Sequence, residues 1–137
     1  MEGFTMEFYE KIERIGIPDK NIGILELPFE VIEVDDTVLN KRIDKIRARD
    51  IVGTTRPVDG IAVWADALNN LFHKEHLLKP EKMSKINEIL LMPNDGAYPC
   101  VVQKGEKYYI DDNGLHRLII AKFLNIEEIT VIVKKYD

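Results

Sequence analysis

Cysteine and long apolar runs are nearly absent from this sequence. Cys100 is the only cysteine among 137 residues, so no disulfide can form within the chain. No apolar run approaches the roughly 20 residues that a membrane-spanning helix needs, and the N-terminal residues lack the basic and apolar regions of a secretory signal. These absences predict a cytoplasmic protein that has no membrane partner.

Net positive charge is also missing. The chain has 19 Lys and Arg residues against 24 Asp and Glu residues, which gives a formal net charge of -5 at pH 7. Such a chain does not hold nucleic acid through its overall charge, although a local basic surface can still do so. The composition, with 45% hydrophobic and 31% charged residues, is that of an ordinary globular protein, and the length predicts a single domain over residues 1–137.

A strand, a tight turn and a helix follow one another in the last third of the chain. Tyr108–Ile110 has the aromatic and β-branched residues of a short strand. Asp112 or Asn113 can then cap a helix, while Gly114 permits the tight turn. Apolar residues recur at helical spacing after this glycine, which predicts a helix from Leu115 to Leu124.

The start of this helix is a candidate seat for a phosphate group. The first N–H groups of a helix have no acceptor within it, and the helix dipole places partial positive charge there. Arg117, in the first turn, can make a two-pronged contact with phosphate, and His116 can donate a hydrogen bond or shuttle a proton. Opposing groups of the same kind occur in the predicted loop Gly53–Pro57, which contains Thr54, Thr55 and Arg56.

The residues around this turn also carry a family resemblance. The sequence Asp112-Asn113-Gly114-Leu115-His116-Arg117, followed by Ala121 and by residues 125–133, resembles the signature of the ParB/sulfiredoxin-like domain family. Residues 99–102 are similar to the strand that precedes this motif in the family, and the resemblance covers mainly residues 81–137. It implies an α+β fold, in which helices surround a small mixed β-sheet.

The resemblance implies that the Gly114–Arg117 turn holds the phosphates of a nucleotide, ATP or CTP, with Mg²⁺. Branches of the family hydrolyse CTP in chromosome partitioning, repair peroxiredoxin with a cysteine, phosphorylate free serine or are nucleases. Leu115 stands where the sulfiredoxins have that cysteine, so we expect no repair activity because the nucleophile is missing. The partitioning proteins carry a helix-turn-helix domain after this one. We therefore expect a free-standing domain here, in a DNA-associated context.

Nucleotide or phosphate binding at this turn is the first function that the sequence favours. In this interpretation Asp112 also binds the Mg²⁺. The phosphate contacts come from the turn and from the opposing loop, and they are Asn113, Gly114, His116, Arg117, Thr54, Thr55 and Arg56.

Two alternatives use the same site or another surface. A small ATP- or ADP-dependent kinase, or a nuclease, would use the same phosphate site, and its candidate catalytic residues are Asp111, Asp112 and His116. A non-catalytic module that binds DNA or protein would instead use a basic surface. A helix predicted from Asp35 or Asp36 to Asp50 supplies one, and its candidate DNA contacts are Lys41, Lys45 and Arg49.

The remaining elements are predicted from periodicity and from turn residues. Helices are expected at about 5–15, as an addition to the family core, at about 60–78, as an insertion, and from Pro80 onward. Strands are expected at 98–103, 107–111 and 129–133, and residues 22–34 are expected to form one or two strands broken near Pro28. The helical insertion is a candidate lid or dimer surface, so a homodimer is one expected state.

Overall fold

Helices and one mixed sheet make up the fold, and the computed structural model describes residues 6–34, 38–73, 78–86 and 98–136. In this part of the chain the helices are α1 (Met6–Ile15), α2 (Trp64–Leu71), α3 (Pro80–Met83) and α4 (Leu115–Leu124). The strands are β1 (Glu30–Val31), β2 (Val38–Ile46), β3 (Ile51–Thr54), β4 (Cys100–Lys104), β5 (Lys107–Ile110) and β6 (Ile129–Tyr136). Two 3-10 helices connect them, Asp19–Glu26 and Ala48–Asp50. None of the described helices has the length and apolar character needed to cross a membrane.

The strands form one six-stranded sheet in the order β1-β3-β5-β4-β6-β2. β1, β3 and β5 run parallel to one another, whereas β4 is antiparallel to β5 and parallel to β6. β2 ends the sheet and runs antiparallel to β6. The mixed sheet with packed helices confirms the predicted α+β class. Because β3 and β5 are parallel neighbours, their last residues lie side by side where the two strands end. The candidate site is located at this end of the strands.

The helices pack against one face of the sheet. Side chains alternate between the two faces along each strand, so every second side chain of a strand faces the helices. Val101 and Val133 lie in register across β4 and β6 and belong to the same buried cluster as Phe123 of α4. Trp64 is fully buried and lies edge-on to Phe29 and Phe123, with ring centroids 4.8 and 6.2 Å away. Trp64 is therefore a central residue of the core.

Buried polar side chains fasten α1 and the first 3-10 helix to the core. The ammonium of Lys11 donates to the carbonyls of Leu68 and Phe72 at 3.2 and 2.8 Å, and so satisfies acceptors at the C-terminal end of α2. The amide of Asn21 donates to the carbonyl of Phe123 at 3.0 Å. The predicted N-terminal helix is therefore an integral part of the helical layer.

The helix predicted from residue 35 or 36 to residue 50 is wrong. Residues 38–46 form β2 and a 3-10 turn follows, while residues 35–37, with the predicted cap, lie outside the described part of the chain. The apolar spacing that suggested a buried helical stripe includes Ile43, which is 64% exposed. The ladder with β6 overrides the local helical pattern, because Ile46 is buried opposite Ile129 only when the segment is a strand.

The strand predicted at 22–34 is mostly absent, and the predicted insertion is not peripheral. A 3-10 helix covers Asp19–Glu26, so Glu30–Val31 is the part of this region that forms a strand. The described part of 60–78 contains α2, whose inward side chains are fully buried. Residues 74–77 lie outside the described part. The inward face of α2 thus completes the core, and a role of this segment as a lid or dimer surface stays a prediction.

Candidate functional site

The candidate site lies where two parallel strands end side by side. Thr54, the last residue of β3, is in register with Ile110, the last residue of β5. The Thr54 hydroxyl donates to the Ile110 carbonyl at 2.7 Å, and the N–H of Thr55 donates to the same oxygen at 2.9 Å. Segments that follow the carboxyl ends of neighbouring parallel strands line one crevice, where ligands commonly bind. The fold therefore brings together the two segments that the sequence predicts as opposing contacts.

The predicted loop at 53–57 is shorter than expected. Gly53 and Thr54 belong to β3, so the loop begins at Thr55. A Cβ on Gly53 would collide with the backbone of Glu30 in β1. This glycine therefore allows two strands to pair closely, and it belongs to the sheet and not to a loop that contacts an anion.

Arg56 clamps the turn that follows β5. Its Nε donates to the carbonyl of Asp111 and its Nη2 donates to the carbonyl of Asp112, each at 3.0 Å. The planar guanidinium thus holds two successive peptide groups with one fork of donors. The side chain of Arg56 is half-buried, so it positions the turn and still borders solvent.

Asp111 and Lys134 form an ion pair inside the site. Lys134 Nζ lies 2.7 Å from Asp111 Oδ2, with side chains 12% and 14% exposed, and the Thr55 hydroxyl donates to Asp111 Oδ1 at 2.7 Å. Burial raises the pKa of Asp111, but the hydrogen bonds from Lys134 and Thr55 outweigh burial and hold that pKa below its ordinary value. Burial lowers the pKa of Lys134, but the hydrogen bond and charge of Asp111 raise it above its ordinary value. Both groups are therefore charged at neutral pH.

Asp112 is the exposed carboxylate of the site, and it does not complete a metal centre. Its side chain is 70% exposed, and Lys134 Nζ lies 3.4 Å from its Oδ1. Mg²⁺ requires an octahedral set of oxygen ligands, whereas both oxygens of Asp111 already accept hydrogen bonds and one ammonium contacts both carboxylates. Among the described residues, no group of three or more His, Cys, Asp or Glu could hold a metal ion. The described residues therefore form no Mg²⁺ site from side chains alone. The role of Asp112 beside a Mg²⁺–nucleotide complex stays a prediction, because such an ion is held by one or two carboxylates together with phosphate oxygens and water.

Asn113 and Gly114 shape the turn through local geometry. The side-chain amide of Asn113 donates to the carbonyl of Tyr98 at 3.0 Å. The N-cap of α4 is Gly114, with φ 90°, and no side chain caps the helix, so the prediction that Asp112 or Asn113 is the cap is wrong. A Cβ on Gly114 would collide with Pro99. Glycine is required here by its positive φ and by its close packing against Pro99.

His116 and Arg117 lie in the first turn of α4, where the sequence predicts them, and their side chains pack against the protein. The His116 ring lies edge-on to Phe72, with centroids 5.4 Å apart. Arg117 is only 6% exposed, and burial lowers the pKa of its guanidinium from the ordinary value. Arg117 is therefore a buried cation, and its substitution will perturb the core as well as any bound ligand.

Cys100 borders the same cluster and is disfavoured as a nucleophile. It is buried in β4, as the sequence predicts. Burial raises the pKa of its thiol, and so do the nearby carboxylates of Asp112 and Asp111, against a smaller opposing effect of Lys134. The thiol form is thus favoured at neutral pH, which removes Cys100 as a substitute for the missing sulfiredoxin cysteine.

The three candidate DNA contacts do not share the face of a helix. Lys41 and Lys45 lie on one face of β2, and Arg49 lies in the 3-10 turn that follows. Lys45 Nζ is 3.0 Å from the carboxylate of Glu128. Because the segment pairs with β6 as a strand, the basic helix that motivated a DNA contact does not exist.

Lys134 is a site residue that is not among the residues predicted from the sequence. The predicted strand ends at residue 133, whereas β6 continues to Tyr136. Lys134 is in register with Val102 of β4 and follows Val133 of the core face, so it lies on the opposite face of the sheet. Alternation along β6 marks this change of face, but only the pairing of β6 with β4 brings Lys134 to Asp111.

Comparisons with known proteins give no family assignment. Protein-family models, curated proteins and solved structures each yield no match to this chain. The resemblance to the ParB/sulfiredoxin-like family stays a prediction, and the function has to be argued from the site itself.

Proposed function

We propose that this chain binds the phosphate groups of a nucleotide, ATP or CTP, in the crevice between the ends of β3 and β5 and the start of α4. The observation that carries the proposal is the junction of two distant segments, in which Arg56 holds the backbone of Asp111 and Asp112 through two 3.0 Å hydrogen bonds. A guanidinium, the Thr55 hydroxyl and the Lys134 ammonium thus contact the turn at residues 111–112, which precedes a ten-residue helix. Groups of these kinds bind phosphate. The ParB/sulfiredoxin-like resemblance supports the same ligand.

The charges of this crevice favour an anion. Arg56 and Lys134 bring positive charge to the turn after β5, and the buried Arg117 adds a cation in the first turn of α4, against the carboxylates of Asp111 and Asp112. Asp111 opposes an incoming phosphate less than an unpaired carboxylate would, because Lys134 lies 2.7 Å from it. The exposed carboxylate of Asp112 can contact a Mg²⁺ ion that the phosphates of the nucleotide also bind, since such ions take one or two carboxylates together with phosphate oxygens and water.

A kinase or nuclease at the same crevice is the second candidate. The observation that favours it is the exposed carboxylate of Asp112 beside the proposed phosphate position. Asp112 suits a general base better than Asp111, because the pKa of Asp111 is lowered and both of its oxygens accept hydrogen bonds. Phosphate release or transfer that disappears in Asp112→Asn tests this activity. Turnover that persists in Asp112→Asn would assign the base elsewhere.

Calorimetric titration and thermal denaturation test nucleotide binding. The ligands are ATP, ADP, CTP, GTP and pyrophosphate, each with Mg²⁺ and with EDTA, so that recognition of the base is separated from recognition of phosphate. A ligand at 100 times its Kd stabilises the fold by about 2.7 kcal/mol. We expect one nucleotide to bind, and we expect Lys134→Gln to weaken its binding by about ten-fold or more, because a charged hydrogen-bond donor is lost.

Lys107→Gln is the matched control. Lys107 lies in the same sheet, at the other end of β5, and pairs with the carboxylate of Glu30 at 3.4 Å. Its loss should leave the nucleotide affinity unchanged. Equal affinities of the wild type, Lys134→Gln and Lys107→Gln, or no binding of any nucleotide, would contradict the proposal. Arg117→Ala is a poorer probe, because this buried side chain couples binding to folding.

A further inference from the structure

β2 is a long strand at the edge of the sheet. It ends the strand order and pairs along one side with β6 over Val38–Ile46. Within the described ranges, no strand pairs along its other side. Alternate N–H and C=O groups of such an edge point outward and can pair with a further strand. The opposite edge, β1, has only two residues and offers far fewer of these groups.

The charges of β2 are arranged about one exposed apolar residue. Ile43, which is 64% exposed, lies at the centre of the charged part of the strand. Strand alternation puts Arg42 and Asp44 on one face of the sheet, and it puts Lys41 and Lys45, with Ile43, on the other. On the first face the two positions that flank Ile43 therefore carry opposite charges.

We propose that β2 pairs antiparallel with β2 of a second copy of this chain, about a two-fold axis at Ile43, so that the sheet continues through a homodimer. In this register residue 42 of one copy lies opposite residue 44 of the other. Arg42 Nε already lies 3.1 Å from Asp44 Oδ2 of its own strand, and Arg42 Nη2 donates to Gln103 Oε1 at 2.9 Å. Asp44 of the second copy joins this pair and the symmetry repeats the contact, so four alternating charges form one cluster across the axis. Ile43 meets its own symmetry mate, so exposed apolar surface becomes buried.

The choice of axis follows from the charges. An axis at residue 42 would put Arg42 opposite itself, and an axis at residue 44 would put Asp44 opposite itself. The axis at Ile43 is the one of these three that joins opposite charges. It also brings Lys41 opposite Lys45 of the second copy, and this repulsion is offset by Glu128, whose carboxylate lies 3.0 Å from Lys45 Nζ. The dimer does not rest on the nucleotide proposal.

Sedimentation equilibrium at several chain concentrations tests the dimer, and charge exchange tests its register. Arg42→Asp leaves two acidic residues facing each other, and Asp44→Arg leaves two basic residues facing each other. We expect each variant to weaken the homodimer by about ten-fold or more. An equimolar mixture of the two variants should form a heterodimer, because every Asp then faces an Arg. The double variant should dimerise like the wild type.

Ile43→Lys separates pairing from folding. It puts two lysines at the axis and should abolish the dimer, while the circular dichroism spectrum of the monomer stays unchanged because the side chain is exposed. A wild-type chain that stays monomeric at every concentration would overturn the proposal. Failure of the mixture of Arg42→Asp and Asp44→Arg to associate would overturn the register at Ile43.

Discussion

A largely buried lysine lies in α4 and another lies beside the turn that precedes α4, and the two lysines have partners of different kinds. Near the C-terminal end, the ammonium of Lys122 donates to the carbonyls of Arg49 and Ile51 at 3.0 and 2.7 Å. In the turn that precedes α4, the carboxylate of Asp111 pairs with the ammonium of Lys134 at 2.7 Å. The partners of Lys122 are therefore neutral carbonyl groups, whereas the partner of Lys134 is a charged carboxylate.

This difference decides the direction of each pKa. Burial lowers the pKa of Lys122 to about 8, because carbonyl dipoles and the ring of Trp64, 5.1 Å away, replace water only in part, and the charge of Asp50 opposes the shift weakly. Burial acts in the same direction on Lys134, but Asp111 outweighs it and the pKa is raised. Both ammonium groups are charged at neutral pH, and Lys122 is the one that loses its proton first as the pH rises.

The largest effect should come from adding bulk at the N-terminal end of α4. Gly114→Ala adds a Cβ that collides with Pro99 at φ 90°, so the free energy of unfolding should fall by about 4 kcal/mol. Gly105→Ala is the matched control, because Gly105 also has positive φ, 62°, but nothing lies within 4 Å of its added Cβ. It should cost about 1 kcal/mol. Urea denaturation measures both, and equal losses would mean that the contact with Pro99 is unimportant.

The Lys122 end should respond to alkaline pH. Its folded pKa of about 8 lies below the ordinary 10.5, so between these values the unfolded chain binds more protons and stability rises with pH. The rise is about 3 kcal/mol at most. Lys122→Met removes this titration, so the stability of the wild type relative to the variant should increase between pH 7 and 10 in urea denaturation. If the difference in stability between the wild type and Lys122→Met does not change with pH, the pKa of Lys122 is not lowered and the contrast with Lys134 is wrong.

The Asp111–Lys134 pair should respond to acid instead. Asp111→Asn should lower the free energy of unfolding at pH 7 by about 2 kcal/mol, because Lys134 loses its nearest carboxylate. The pKa of Asp111 is lowered from 3.8, so its contribution is present above 3.8 and is lost as the pH falls through the folded-state pKa. The urea midpoints of the wild type and the variant should therefore converge below pH 3.8. A gap that persists in strong acid would assign the loss to packing.

The smallest effect should come from an exposed ion pair at the sheet edge. Lys45 Nζ and the Glu128 carboxylate are 3.0 Å apart, but their side chains are 66% and 59% exposed. Glu128→Gln should lower the free energy of unfolding by less than about 1 kcal/mol, because water and salt screen the pair. The measurement belongs at low chain concentration, where association does not contribute. A loss as large as that of Asp111→Asn would show that burial does not separate the two pairs.

The C-terminal part of the fold could be predicted because its elements depend on nearby residues. α4 begins at Leu115 and ends at Leu124, as its apolar spacing predicts, and β4, β5 and β6 lie within a few residues of their predicted bounds. Aromatic and β-branched runs, short turns and a glycine at the helix start are signals that the local sequence carries. Residues 38–46 carry an ambiguous signal, because lysine, arginine and asparagine at an edge strand leave both faces polar.

The candidate site could likewise be predicted only in part. The polar turn at 111–114 and the Thr55–Arg56 segment were identified from their residue types, and the parallel pairing of β3 with β5 brings them together. The burial of Arg117 could not be predicted, because nearly every side of α4 is covered by other elements and the helix has no outward face to assign it to.

By itself the sequence determined the extent of α4 and the polar turn before it, because these depend on neighbours along the chain. Only the tertiary structure decided that residues 38–46 are a strand, that Lys134 reaches Asp111 and that Arg117 is buried. Each of these three depends on strand register and on packing between segments far apart in sequence, and the free energy of those contacts exceeds the local preferences of the residues involved.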